Sequence, residues 1–328
     1  MPAESLIGFA AIRGHQRVRA FLQAAVANDR LPHALLFAGA DGIGKRTLAL
    51  AFVAWLLCET DGSDACGDCA ACRQVAAGSH PDFQLVTVAS GKKEIGVDRV
   101  RDVKRFTQLR PVRGTVKLAV IDDAHMLTVA AQNALLKTLE EPPGHSVLIL
   151  VANNPDALLP TVRSRCQRVP LSPLPNDAVV EILTRDHGIA PATAQQLTAL
   201  AEGSPGRALA LSRCVASEDG PPQLAALRGA RYVDLMRIAN RIGLPEADTG
   251  MKLEMLLSQL RDDAVRAVRA DHPVASAAAA TAPAGERGVR ATLLAADLIH
   301  AAREAMRRGN PNRQLLLEAL LLRLARTE

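Results

Sequence analysis

Along the first half of the chain, short continuous apolar runs alternate with stretches in which apolar residues recur at helical spacing. The runs at residues 35–37, 83–88, 116–121, 147–151 and 166–169 read as strands. Between them, Val18, Phe21, Leu22, Ala25 and Val26 share one face of a predicted helix over residues 16–27. A second helix is expected to start near Lys45 and carry residues 48–57. A third is expected behind Asp98 as N-cap, with Val100, Val103, Phe106 and Leu109 facing inward. Thr128 opens a fourth, which holds Leu135, Leu136 and Leu139 until Pro142 and Pro143 stop it. Strands that are apolar throughout, rather than at every second residue, belong to a parallel sheet covered by helices on both faces.

From Pro173 the pattern changes, and no further strand is expected. Residues 176–185 and 193–201 read as short helices, followed by a turn at Gly203-Ser204-Pro205-Gly206. Residues 217–222 read as a linker, and the remainder as helical except for an Ala/Pro-rich loop at 271–288. The chain closes on a leucine-rich helix over 315–325, too apolar to face water all round.

Composition narrows the chemistry. At 328 residues the length suits two to three domains, and 48% hydrophobic content is ample for more than one core. Aromatics are only 2%, which argues against a surface that stacks nucleic-acid bases. A net charge of +5 fits an acidic partner such as DNA, but only weakly. No run approaches the ~20 apolar residues of a membrane span, and the N-terminus lacks the pattern of a signal peptide. A cytoplasmic location is therefore expected, where the six cysteines are metal ligands before they are disulfides.

Residues 39–47 read G-A-D-G-I-G-K-R-T directly after an apolar run, a near match to the phosphate loop G-x-x-x-x-G-K-[ST]. Gly39, Gly42, Gly44 and Lys45 are in place to offer backbone N–H groups and a cation to phosphates at a helix N-terminus. Arg46 stands where the magnesium-ligating hydroxyl belongs, and Thr47 comes one residue late, which puts ATP and Mg2+ binding in doubt. The strand ending in Asp122-Asp123 supplies the second acidic element: the first carboxylate supports the magnesium shell, and the second, normally Glu, polarises water. Asp123 is about one methylene short for that task, and an Asp-Asp pair that merely caps the next helix remains the plain alternative. Cys58 with Cys66-x-x-Cys69-x-x-Cys72 supplies a tetrahedral thiolate set for structural zinc, unligated thiols being the alternative. Cys166 and Cys214 read as ordinary small apolar residues. Arg163 and Arg165 follow the Asn153-Asn154-Pro155 turn, where they could stabilise phosphate charge, although spacing alone makes them surface arginines. The basic run Arg99, Arg101, Lys104, Arg105, Arg110 and Arg113 reads as a solvated face, contact with phosphate being the alternative.

Taken together, the runs R-L-P-H-A-L-L-F-A-G, H-P-D-F at 80–83, A-L-L-K-T-L-E-E-P-P at 134–143, S-R-C at 164–166 and G-S-P-G-R-A-L-A-L at 203–211 resemble the AAA+ clamp-loader family of the bacterial DNA polymerase III holoenzyme. The resemblance implies a RecA-like AAA+ domain over 1–172 with a zinc insertion at about 58–72. It also implies a three-helix lid over 173–213 and a helical collar over 222–328 through which a hetero-pentamer assembles. Implied partners are the gamma/tau motor and delta subunits, with the sliding clamp and primer-template DNA met through the complex, and no membrane. Arg165 would act in trans on the ATP site of the adjacent motor subunit. Arg46, Asp123 and Gly206, the last at the place of a second sensor arginine, favour a stator with little or no ATP hydrolysis of its own. The alternative within the family is a gamma/tau-type motor ATPase.

Overall fold

The structure, a computed structural model, describes residues 8–60, 62–216, 231–243, 286–308 and 312–325, together with 249, 252, 253, 256, 257 and 260. Its packing divides into two units, Met1–Ala208 and Leu209–Glu328. The first is built on five parallel strands, β1 (Ala34–Ala38), β2 (Phe83–Val86), β3 (Lys117–Ile121), β4 (Ser146–Ala152) and β5 (Gln167–Pro170), in the order β2-β3-β4-β1-β5. The central strands are buried at every position, the outcome expected of continuous apolar runs. Alternate side chains serve opposite faces. Leu35, Phe37, Leu118, Val120 and Ile149 pack beneath α1 (Gln16–Ala27) and α2 (Lys45–Leu57). Leu36, Ala119, Ile121, Leu148 and Leu150 pack against α4 (Val97–Gln108) and α5 (Val129–Glu140) on the other face. This is the parallel α/β sheet covered by helices on both faces that the apolar runs predict.

Most element boundaries agree with expectation, and the departures have local causes. Strand β2 stops at Val86 rather than residue 88, because its partner β3 ends opposite it at Ile121. Asp98 is not the N-cap of α4; Gly96 holds that place and Asp98 lies inside the first turn, 2.9 Å from Arg101. The helix begins early because Ile95 is pinned on both sides, its N–H donating to Met126 O and its carbonyl accepting from Thr128 N. Thr128 does cap α5, its hydroxyl accepting from the N–H of Ala131 at 3.2 Å.

After β5 come α7 (Asn176–Glu181), which continues as a wider turn through Asp186, α8 (Pro191–Ala201) and α9 (Pro205–Ala216). Half of the expected turn at 203–206 is therefore the first turn of α9. Pro205 suits the first helical position, and the Ser204 hydroxyl accepts from the N–H of Arg207 at 3.2 Å. The expected linker at 217–222, residues 271–285 of the expected loop and the side chain of Cys214 lie outside the described residues. Residues 286–288 are not loop; they open a helix.

The second unit contains α10 (Tyr232–Gly243), α11 (Glu286–Arg308) and α12 (Arg313–Leu324). Leu235, Leu253, Leu256, Ile299, Leu317 and Leu321 form its own core. Asn312 caps α12 by accepting from Leu315 N at 3.3 Å. No described helix is long and apolar enough to cross a membrane.

Candidate functional site

The phosphate loop joins β1 to α2. Gly42 and Gly44 take positive φ values of 70° and 92°, a left-handed conformation that glycine adopts without the penalty of a side chain. Lys45 is buried at 4% exposure, and its Nζ donates back to Ala40 O of the loop at 2.5 Å. Burial lowers its pKa against the opposing pull of Asp41, Asp122 and Asp123. Thr47 follows Arg46 on the first turn of α2, half-buried.

Arg46 does not point idly into solvent. Its Nη1 lies 3.3 Å from Asp122 Oδ2, so a guanidinium stands beside the carboxylate whose expected partner is magnesium. Burial and the neighbouring Asp123 push the Asp122 carboxyl up, and Arg46 opposes them. Asp123 adopts a left-handed conformation with φ 49° and makes no side-chain cap to the short helical turn at 124–126, which removes the plain capping role for its carboxylate.

Elements distant in sequence close on this loop. The Ser204 hydroxyl donates to Asp41 O at 2.8 Å, and Gly206 N donates to Gly42 O at 2.9 Å. A Cβ on Gly206 would stand 2.7 Å from Gly42 Cα, so no side chain fits at this position of α9. Arg207 turns instead to Glu202, 2.9 Å away. Asn153, read from sequence as part of a turn, reaches Asp41 Oδ1 at 3.1 Å from the end of β4.

Cys58, Cys66, Cys69 and Cys72 converge, with all four sulfurs within 4.8 Å of one another. The Cys58–Cys69 and Cys66–Cys72 separations are each 4.0 Å. Zinc–thiolate bonds of about 2.3 Å at tetrahedral angles require sulfurs roughly 3.8 Å apart, so the set fits the ion. The backbone also prepares acceptors: the N–H groups of Cys66, Cys69 and Cys72 point at the sulfurs of Cys58, Cys66 and Cys69 at 3.4, 3.3 and 3.4 Å. The Cys69 N–H leads the hydrogen bonds that lower the Cys66 thiol to about 6. Burial would raise Cys58, but the Thr60 hydroxyl and the Cys66 N–H leave it lowered, whereas burial drives Cys72 upward. The short helix α3 (Ala70–Ala76) starts at Cys69, which caps it through sulfur. Asp64 binds this module to the N-terminal segment by accepting from Phe9 N and Ala10 N at 2.6 and 2.7 Å.

Arg163 and Arg165 flank the end of the short helix α6 (Pro160–Arg163). Arg163 pairs with Asp156. Arg165 is one-third exposed and reaches Glu140 Oε1 at 2.8 Å and Thr161 O at 3.0 Å. Cys166 is buried, as expected of an apolar residue. The structure thus gathers the loop with Asp122, gathers the cysteines separately, and leaves Arg165 at α6 with Glu140. The partner Glu140 carried no signal in sequence beyond its place in the L-E-E-P-P run.

A family model described as DNA polymerase III, delta subunit, matches residues 14–175. The delta-prime subunit of Pseudomonas aeruginosa is 35% identical over 305 residues, covering 89% of this chain and 92% of that relative. The delta-prime subunit of Escherichia coli is 40% identical over 180 residues, 55% of this chain and 54% of the relative. The tau subunit of Escherichia coli is 33% identical over 267 residues, which is 79% of this chain but only 41% of tau. Because the likeness to the Pseudomonas aeruginosa subunit runs through nearly the whole of both chains, the chain belongs to the family of DNA polymerase III delta-prime subunits.

Proposed function

We propose that this chain is the stator subunit of a replicative clamp loader, without effective ATP hydrolysis of its own, and that it lends Arg165 to a neighbouring motor subunit. The observation that carries the reading is Arg46, which replaces the magnesium-ligating hydroxyl and stands 3.3 Å from Asp122. A cation beside that carboxylate competes with a divalent ion by charge and by volume. The shortened Asp123 and the close packing of Gly206 on Gly42, which leaves no room for a sensor arginine there, point the same way.

In this reading the motor subunit binds ATP, and Arg165 approaches from outside to stabilise charge on the transferring phosphoryl group. An arginine supplied in trans is worth on the order of 10³–10⁵ in rate. The four thiolates hold a structural zinc ion, which supplies cross-linking of the insert and no open coordination position. The helices from residue 222 onward form the collar of a hetero-pentamer with gamma/tau and delta subunits. Exposed Tyr232, Val233, Leu293, Leu294 and Leu315 supply apolar surface for that contact. The sliding clamp and primer-template DNA are met through the complex, in the cytoplasm.

The first test is ATP turnover by the purified chain with magnesium and primed DNA. None is expected; robust turnover would move the chain to the motor class, a reading that the retained Lys45 and the likeness to tau keep in view. The second is Arg165→Ala in the assembled loader. Folding should be intact and DNA-stimulated hydrolysis sharply reduced, and full activity would end the role in trans.

A further inference from the structure

The side chain that Arg165 meets within its own chain is Glu140, at 2.8 Å, with Thr161 O taking a second bond at 3.0 Å. These two contacts use one terminal nitrogen each. A guanidinium has five N–H donors in a rigid fork, so the remaining donors are free to meet an acceptor from outside.

Both ends of the pair rise from backbone fixed in the core. Glu140 is the last residue of α5, directly after buried Thr138 and Leu139, and Pro142-Pro143 prevents the helix from continuing. Arg165 lies between buried Val162 and Cys166, with its N–H bonded to Val162 O at 3.2 Å. The C-terminal end of α5 carries negative partial charge, which adds to the attraction for a cation. The pair itself stays at the surface, with 36% of the Arg165 side chain and 49% of Glu140 exposed. Exposed pairs contribute little to folding, so this one is poorly suited to a purely structural task. Arg163 is tied to Asp156 just before its own helix, whereas Arg165 is tied to the end of α5.

We infer that Glu140 is a positioning residue for Arg165, holding the guanidinium in one direction before the neighbouring subunit presents its phosphates. A free arginine side chain loses rotamer freedom when it engages; ordering it beforehand moves that loss out of the reaction. The inference rests on the role of Arg165 in trans proposed above. Glu140 touches no phosphate itself.

The experiment is DNA-stimulated ATP hydrolysis by the complete reconstituted loader carrying Glu140→Ala, Glu140→Gln, Arg165→Ala or the double Glu140→Ala/Arg165→Ala chain. Glu140→Ala should lower kcat by roughly 2- to 5-fold, the range set by an exposed ion pair, with KM for ATP and assembly unchanged. Glu140→Gln keeps one acceptor oxygen and should fall between. On the Arg165→Ala background, Glu140→Ala should add no further loss. Unchanged kcat in Glu140→Ala beside a strongly impaired Arg165→Ala would overturn the positioning role and leave the arginine finger standing. An equal fractional loss on both backgrounds would also overturn it, by showing that Glu140 acts independently of Arg165. Full activity of Arg165→Ala would remove the finger itself, and the positioning role with it.

Discussion

Arg46 and Asp82 show how single charges set the character of this chain. Replacing Arg46 with Thr rebuilds G-x-x-x-x-G-K-T and frees Asp122 from its 3.3 Å partner. We expect magnesium-dependent nucleotide binding to tighten by about tenfold, worth about 1.4 kcal/mol. Fluorescent-nucleotide titrations with Mg2+ and with EDTA would read this, and equal affinity under both conditions would count against it. Asp82 is fully buried and accepts from Val112 N, Arg113 N and Gly114 N at 2.7–2.9 Å, with Lys117 Nζ 3.1 Å away. Burial alone would raise this carboxyl, yet the three N–H groups and Lys117 hold it well below the usual carboxylate range. A depressed folded pKa contributes stability that is fully present above the unfolded value of about 3.9 and is lost as pH falls below it. Asp82→Asn leaves Lys117 buried without its counter-charge, and should cost about 3–5 kcal/mol at neutral pH. Urea unfolding at pH 7 and pH 3 would show the variant both weaker and less sensitive to acid than the parent.

At the scale of the element, α3 depends on what surrounds it. Its seven residues fall short of the ~12 that an isolated helix needs, so buried Ala71, Cys72 and Val75 and the thiolate cluster hold it. Cys72→Ser should reduce bound zinc from about one per chain to near none, and should open the insert to limited proteolysis. Phosphate-loop contacts should persist, because no cysteine lies between Gly39 and Thr47. Metal content unchanged in this variant would show that the cluster is not the ligand set. The cysteines were legible in sequence because a thiol set keeps its spacing. The strands were legible because burial on both faces leaves no polar positions in runs such as 147–151. What escaped was contact across the chain. Nothing near Gly206 announces that Gly42 lies against it, and nothing near Arg165 names Glu140. Asp98 misled because a capping residue type is common inside a first turn, where helix polarity also favours a carboxylate.

On the scale of the whole molecule, the chain forms two units, each with its own core. The phosphate loop, the cysteines and Arg165 all belong to the first. The second has apolar surface: Leu293, Leu294 and Leu315 are 60%, 50% and 62% exposed on helices whose other faces are buried. Exposed leucines on a helix with a filled core contribute nothing to that core, so their removal should spare the fold. Leu293→Asp with Leu315→Asp should therefore leave the circular dichroism spectrum and thermal midpoint near those of the parent. If these residues supply the collar contact, the variant should fail to enter the complex with gamma/tau and delta subunits, as should a chain ending at Pro222. Size-exclusion chromatography with multi-angle scattering would separate the cases. A truncated chain that still assembles would place the contact in the first unit. A truncated chain that fails, beside a double-aspartate variant that succeeds, would keep the contact in the second unit but assign it to another surface.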